Sequence, residues 1–336
     1  MNTLVLGGSV FVGRRLVSLL VSAGHHVAVL NRGVTAVEFP DGVERLTADR
    51  TDVASLRAAL AGRDWDVVFD VSGFVMAAGG SDIDGLLDLL EGHVGAYVFV
   101  SSVMAYDQAL NGWFPWTEDL PTNTDGPTSY GGFKAMSEAS MLARHARTGF
   151  PVTIVRPAAI YGPDNNIYDM EAPMFLRLLQ HRPIIVPNQG LVATSYGHVD
   201  DLCSAMVHLS QHPEAFGEVV NVTGNGITSG RYVEELARIV GEDPDVVHVT
   251  DEQFASAGRV FGHLFSVRHH AVLDTAKATR LGVVPSFDFV GGHEQTYEWF
   301  RDRGFHELTE PLVDHTWNAT WDFEAEAALA QRVRGS

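Results

Sequence analysis

The stretch Thr3-Leu4-Val5-Leu6-Gly7-Gly8-Ser9-Val10-Phe11-Val12-Gly13 decides the fold. Its first four residues are an apolar run suited to a strand buried in a parallel sheet. Beyond the glycines, Leu16, Leu19, Leu20 and Ala23 recur at helical spacing, and Gly24 supplies a C-cap. Strand, glycine turn and helix in this order are the setting in which a dinucleotide-binding motif carries meaning. The helix N-terminus offers free N–H groups and a partial positive charge to a pyrophosphate.

The same alternation continues downstream. Strand-like runs at 27–30, 66–71, 96–100 and 152–155 are separated by helical stretches at 53–61, 83–90 and 129–147. Repeated units of this kind predict an α/β fold: a doubly wound parallel sheet of Rossmann type with helices on both faces. From about Gly162 the rhythm loosens, and a βα unit returns near 218–240. The expected organisation is a dinucleotide-binding domain over 1–161 with a returning unit at about 198–225. A smaller, discontinuous C-terminal substrate-binding lobe takes 162–197 and 226–320, and a terminal helix takes 321–336.

Composition narrows the partners. With 42 acidic against 23 basic residues the net charge is −19, which argues against nucleic acid or an anionic membrane as the main partner. The single Cys203 excludes an internal disulfide and suits a reducing compartment. No secretory signal and no apolar run of spanning length stands out, so a soluble cytoplasmic protein is expected. The fifteen histidines lack dense ligand spacing, and no metal site is expected.

Chemistry concentrates in two places. Tyr130 and Lys134 lie one helical turn apart, so phenol and ammonium share a face. A tyrosine ionises near pH ~10 and is a poor base at neutrality. A neighbouring cation favours the phenolate and predicts a lowered Tyr130 pKa. Upstream, Ser101-Ser102 ends a buried-looking strand.

With these residues in view, the chain resembles the extended short-chain dehydrogenase/reductases, the NAD-dependent epimerase/dehydratase group. The resemblance runs from Leu4 to about Trp299. Val98-Phe99-Val100-Ser101-Ser102 with Tyr106 is similar to that family's catalytic-serine strand, and Tyr130 to Lys134 to its Tyr-x-x-x-Lys. The runs Arg156 to Pro163, His198-Val199-Asp200-Asp201 and Asp274 to Lys277, with Leu281-Gly282 and Pro285, match later hallmarks. The resemblance implies Tyr130 as acid/base, Lys134 as holder of the nicotinamide ribose and Ser102 as donor to the reacting oxygen. It implies NAD(P) held by Gly7, Gly8, Ser9, Phe11, Val12, Gly13, Asn31, Arg32, Asp49, Arg50, Val71, Ser72, Gly73, Ser101, Pro157 and Ile160, beside Tyr130 and Lys134. Substrate contacts fall on Met104, Trp113, Ala159, Asn165, Asn166 and His198, the last bordering the site with structural hydrogen bonding as its main task. A homodimer through helices such as 129–147 is also implied.

Departures from the pattern matter. Val10 replaces the usual middle glycine, and a β-branched residue resists positive φ, so Gly8 is expected to supply the permissive position. Asn31-Arg32 replaces the acidic residue that would bind an adenosine ribose diol. A guanidinium there can pair with a 2′-phosphate, which favours NADP over NAD, or it can stack on adenine or face solvent. Ala159 and Thr194 stand where sugar-nucleotide members commonly have asparagine and arginine, and Asn165, Asn166 or Arg268 would have to compensate. Val103 and Met104 replace acidic residues of dehydratases and decarboxylases, leaving epimerisation or ketone/alcohol redox on a sugar-like or natural-product small molecule. Trp113, Phe114 and Trp116 either line a substrate pocket or anchor their loop. The alternative from another class is a non-catalytic NAD(P) sensor or an RNA-binding relative of the same fold.

Overall fold

The computed structural model describes residues 1–71, 82–107, 113–166, 170–256, 270–309 and 322–335. In chain order its strands are β1 (Asn2–Leu6), β2 (His26–Asn31), β3 (Glu44–Thr47), β4 (Trp65–Asp70), β5 (Val94–Val100), β6 (Val152–Pro157), β7 (Ala159–Tyr161), β8 (Pro183–Pro187), β9 (Ala193–His198), β10 (Val219–Val222), β11 (Gly226–Thr228) and β12 (Asp245–Val249). The helices are α1 (Phe11–Ser22), α2 (Val53–Leu60), α3 (Asp82–Leu90), α4 (Tyr130–Thr148), α5 (Glu171–Leu179), α6 (Val199–Leu209), α7 (Ser229–Val240), α8 (Asp251–Ser256), α9 (Ala276–Arg280), α10 (Phe289–Asp302) and α11 (Phe323–Gly335).

A seven-stranded parallel sheet in the order β10-β6-β5-β4-β1-β2-β3 forms the centre. Its strands are apolar on both sides because both sides are covered. Val5, Val29, Phe69 and Val98 face α1 and α6, where Leu16, Leu20, Leu202 and Met206 pack. Leu4, Leu6, Val68 and Phe99 face the opposite layer, with Leu56, Leu86, Leu87 and Met141 of α2, α3 and α4. Burial of such side chains stabilises by roughly 1.5–3 kcal/mol each. Strand order reverses at β1, between β2 and β4, and the crevice at the strand C-termini there is where ligands of doubly wound sheets bind.

The segment from Ala159 onward adds two small sheets, β11-β9-β7 and β12-β8. Strands β7, β9, β11 and β12 are short and carry little periodicity, which is why the sequence pattern does not mark them. Tyr161, Phe175, Tyr196, Tyr232 and Phe300 form the core of this lobe. Helix α11 docks on it, since Glu326 is buried and pairs with Arg177 of α5, 149 residues earlier (Nε to Oε2, 2.8 Å). Trp321, where the terminal helix was expected to start, lies outside the described residues. Among the described residues no helix is long and apolar enough to cross a membrane.

Candidate active site

The glycine turn is built by contact as much as by conformation. Gly7 takes φ 93°, a left-handed value that favours glycine, and Val10 sits at an extended φ of −137°. The expectation that Gly8 supplies the positive φ is therefore corrected: Gly7 does. Gly8 is needed for space, because a Cβ there would lie 2.9 Å from Val29 Cγ1. A Cβ on Gly13 would lie 2.2 Å from the Gly7 carbonyl, so this glycine sets the approach of α1 to the turn. Val10 gives α1 no side-chain cap, and its first turn has no acidic residue. Its N–H donors and dipole are thus available to an anion, which fits a pyrophosphate.

Around this turn, Asn31 Nδ2 donates to Ser9 Oγ (2.9 Å) and its Oδ1 accepts from Gly33 N (2.8 Å), pinning the end of β2 to the loop. A cavity of about 170 Å³ opens here, lined by Gly7, Ser9, Asn31, Arg32, Asp49 and Arg50 among others. Its position suits the adenosine half of a dinucleotide. The Asp49 carboxyl is held below its ordinary range by the Thr51 backbone N–H and hydroxyl, with a smaller pull from Arg32. Arg50 lines the cavity but commits its guanidinium inward, with both terminal nitrogens 2.8 Å from Asp70 oxygens. Val71 N donates to Leu6 O (3.1 Å), closing the floor. Ser72 and Gly73 lie outside the described residues. The Phe11 side chain is buried in the core and Val12 packs against it.

The reacting half assembles where α4 meets the end of β5. Ser129 caps α4 by accepting from Gly132 N (3.0 Å). A Cβ on Gly131 would lie 2.1 Å from Met104 O, and one on Gly132 2.2 Å from Gly126 O. These two glycines let the first turn of α4 rest directly on the backbone of two short helical turns, Val103–Ala105 and Gly126–Thr128. Tyr130 is thereby brought into hydrogen-bonding contact with Ser102.

Lys134 is buried and donates to Val100 O (2.6 Å), with its Nζ 4.7 Å from the centre of the Phe99 ring and 5.6 Å from that of Tyr130. The expected lowering of the Tyr130 pKa is not found in this geometry. Burial pushes the phenol up to about 12, against a smaller downward pull from the Ser102 hydrogen bond. The ammonium points at the strand end, and burial of the phenol dominates. Burial likewise pushes Lys134 down to about 8, opposed by Asp70 and Glu138.

Behind these residues lies a polar network that sequence reading missed. The Ser101 hydroxyl donates to Glu138, turning inward instead of presenting itself to the cleft. Arg156 grips Glu138 through Nε (2.9 Å) and Nη2 (2.5 Å) and lies 4.4 Å from the centre of the Tyr106 ring. Tyr106 Oη donates to Asn221 Oδ1 (2.8 Å). A charge following a run of apolar strand residues, as Arg156 follows Ile154-Val155 and Asp70 follows Val67-Val68-Phe69, was the available signal.

The residues expected on the substrate side separate. Asn165 is buried and bonded to Glu171 (2.8 Å), and His198 Nδ1 caps α6 by accepting from Asp200 N (3.3 Å). The His198 ring packs on Phe287 at 3.9 Å. These bonds give both side chains a part in holding the fold, the structural role expected of His198. Asn166 and Ala159 are half-buried, while Met104 is exposed beside Ser102. Pro157 ends β6, and Ile160 packs where a Cβ on Gly197 would lie 2.9 Å away. The aromatic loop splits in two: Trp116 is buried and donates Nε1 to Trp113 O (2.6 Å), whereas Trp113 and Phe114 are 69% and 57% exposed. Arg268 lies outside the described residues.

Fold and site together define a doubly wound dinucleotide-binding protein with a serine, a tyrosine and a lysine gathered at the strand C-termini. The chain belongs to the NAD-dependent epimerase/dehydratase family, whose model matches residues 3–223. It is 28% identical over 317 residues to the chloroplast stem-loop binding protein of 41 kDa b from Arabidopsis thaliana, covering 90% of this chain and 79% of that one. It is 26% identical over 330 residues to dTDP-glucose 4,6-dehydratase of an Actinoplanes strain, covering 90% and 98%. Among solved structures, dTDP-glucose 4,6-dehydratase from Bacillus anthracis in complex with NAD superposes with a TM-score of 0.72 at 22% identity, covering 90% and 97%.

Proposed function

We propose that the protein is an NAD(P)-dependent epimerase or ketone/alcohol oxidoreductase. Its substrate would carry a secondary alcohol on a sugar-like skeleton, with or without a linked nucleotide, or on a natural product. The reading is carried by one observation: Ser102 and Tyr130 meet at the end of β5, over Lys134. The uncapped start of α1 and the cavity beside it fit the cofactor. When bound, a nicotinamide supplies or accepts hydride at the carbinol carbon.

The chain's own residues handle the oxygen. Ser102 orients it, and Tyr130 exchanges the proton. A phenol held near 12 is neutral at physiological pH and is ready as an acid toward a developing alkoxide. Lys134 would hold the ribose hydroxyls of a bound cofactor and, 5.6 Å from the centre of the Tyr130 ring, would stabilise the phenolate once it forms. Val103 and Met104 beside Ser102 carry no acid, which favours epimerisation or simple redox chemistry over dehydration. Arg32 on the rim of the adenosine cavity favours NADP over NAD, since no carboxylate replaces it at the end of β2.

Mass spectrometry of the small molecules that co-purify would nominate substrates. Absorbance of the reduced nicotinamide then separates a reductase, which consumes NADPH steadily, from an epimerase, which shows no net redox change. Tyr130→Phe should abolish turnover with little loss of cofactor affinity, and retained turnover would defeat the assignment. Arg32→Ala should weaken NADPH more than NADH, and equal affinities in the parent protein would refute the preference.

A second reading is supported by the stem-loop binding relative: an RNA-binding member of the fold. The net charge of −19 opposes it. Binding of a stem-loop RNA that falls steeply with salt would favour it over the enzymatic reading.

A further inference from the structure

A row of buried charges crosses the sheet face covered by α2, α3 and α4. At one end Arg50 donates to both oxygens of Asp70 at 2.8 Å, and Tyr97 Oη donates to the same carboxylate at 2.7 Å. At the other end Glu138 and Arg156 are paired. Lys134 sits between the two pairs. Asp70 on β4 stands in register with Phe99 on β5, the ring over which the Lys134 ammonium lies. Glu138 follows Lys134 by one helical turn. Charge therefore alternates from Arg50 through Asp70, Lys134 and Glu138 to Arg156. Asp70 is 0% exposed and Lys134 3%, so little solvent screens the interaction between them.

We propose that Asp70 is a positioning residue that keeps Lys134 protonated, and that Arg50 holds Asp70 in place while offsetting part of its field. The bearing on catalysis rests on the Ser102, Tyr130 and Lys134 reading above; the electrostatic coupling does not. Burial is the largest influence on Lys134 and drives its proton off; Asp70 opposes this, Arg50 assists it, and Glu138 opposes it. Asp70 is buried too, yet Arg50, Tyr97 and Lys134 hold its carboxyl below the ordinary range, so its charge is constant wherever Lys134 titrates. Among the described residues, the charged groups that act on Lys134 are Asp70 on β4, Arg50 after β3 and Glu138 on α4, and the Tyr130 phenol on α4 is its titratable neighbour. Strand β5 contributes the Phe99 ring and the Val100 carbonyl.

The sequence makes a direct test practical, because it contains two lysines, Lys134 and Lys277. The full chain labelled with ¹³C at lysine Cε gives two resonances, and Lys277→Arg assigns them. The Lys134 midpoint is expected near 8. Asp70→Asn should move it down by about one pH unit or more, and Arg50→Gln should move it up. Opposite shifts are the signature, since loss of packing alone would not give them. Midpoints that stay put in both folded variants, or move in the same direction, overturn the proposal. If Asp70→Asn does not fold, Arg50→Gln decides alone: an upward shift supports the coupling, and no shift or a downward one overturns it. NADPH binding followed by cofactor fluorescence on the same samples keeps the two readings apart. Opposite shifts without binding would sink the enzymatic reading only, and binding without those shifts would sink this one.

Discussion

Removing the Glu138 carboxylate tests how the reacting strand is held. Glu138 and Arg156 have side chains 3% exposed, and they meet through two hydrogen bonds. Glu138→Leu leaves a buried guanidinium with the Glu118 carbonyl (3.3 Å) and the Tyr106 ring as its remaining contacts among the described residues, and it removes the acceptor of the Ser101 hydroxyl. Breaking one side of a buried pair costs about 3–5 kcal/mol. Replacing both partners by apolar residues of similar volume is often far less harmful, so Glu138→Leu with Arg156→Met should recover much of the loss. Urea unfolding of the parent, both single variants and the double variant measures this as a thermodynamic cycle. A single-variant loss under about 1 kcal/mol, or a double variant no more stable than the singles, would refute the account. Because Ser101 precedes Ser102, the singles should also lose turnover in excess of their loss of cofactor affinity.

Three further outcomes follow from the geometry. Gly131→Ala sets a Cβ against Met104 O and should cost about 1–3 kcal/mol. By parting Tyr130 from Ser102 it should also cut turnover by about 10²-fold, whereas parent-like kinetics would show the contact to be soft. Lys134 has a folded pKa of about 8 against an ordinary 10.5, so between those values the unfolded chain binds the extra proton. Stability from this group should therefore rise with pH across that window, and Lys134→Met should remove the rise in urea titrations at successive pH values. Trp113→Ala should raise KM with cofactor affinity unchanged, because the side chain is exposed while Trp116 anchors the loop; an unmoved KM would reject a role with substrate.

What the sequence made legible was local. The glycine turn lies within eleven residues, and Tyr130 and Lys134 are separated by one helical turn, so spacing alone carries their chemistry. The contacts that arrange them are not local. Gly131 matters because of Met104, 27 positions earlier, and Asp70 matters because of Arg50, Tyr97 and Lys134 on other elements. No periodicity announces such meetings. The expected fall in the Tyr130 pKa misled for a related reason: sequence tells which groups are neighbours but not how much water the fold removes from them. The bonds of Asn165 to Glu171 and of His198 at the start of α6 are likewise invisible in the spacing of the motifs around them.

The pairing of Arg177 with Glu326 has a consequence for biosynthesis. The two residues are 149 positions apart, and at ribosomal rates of about 5–20 residues per second the arginine waits roughly 7–30 s for its partner to emerge. During that interval the half-built lobe carries an uncompensated cation at a place destined to be dry. Its final closure is thereby deferred until α11 arrives, and an incomplete nascent chain presents an open seam that chaperones can recognise.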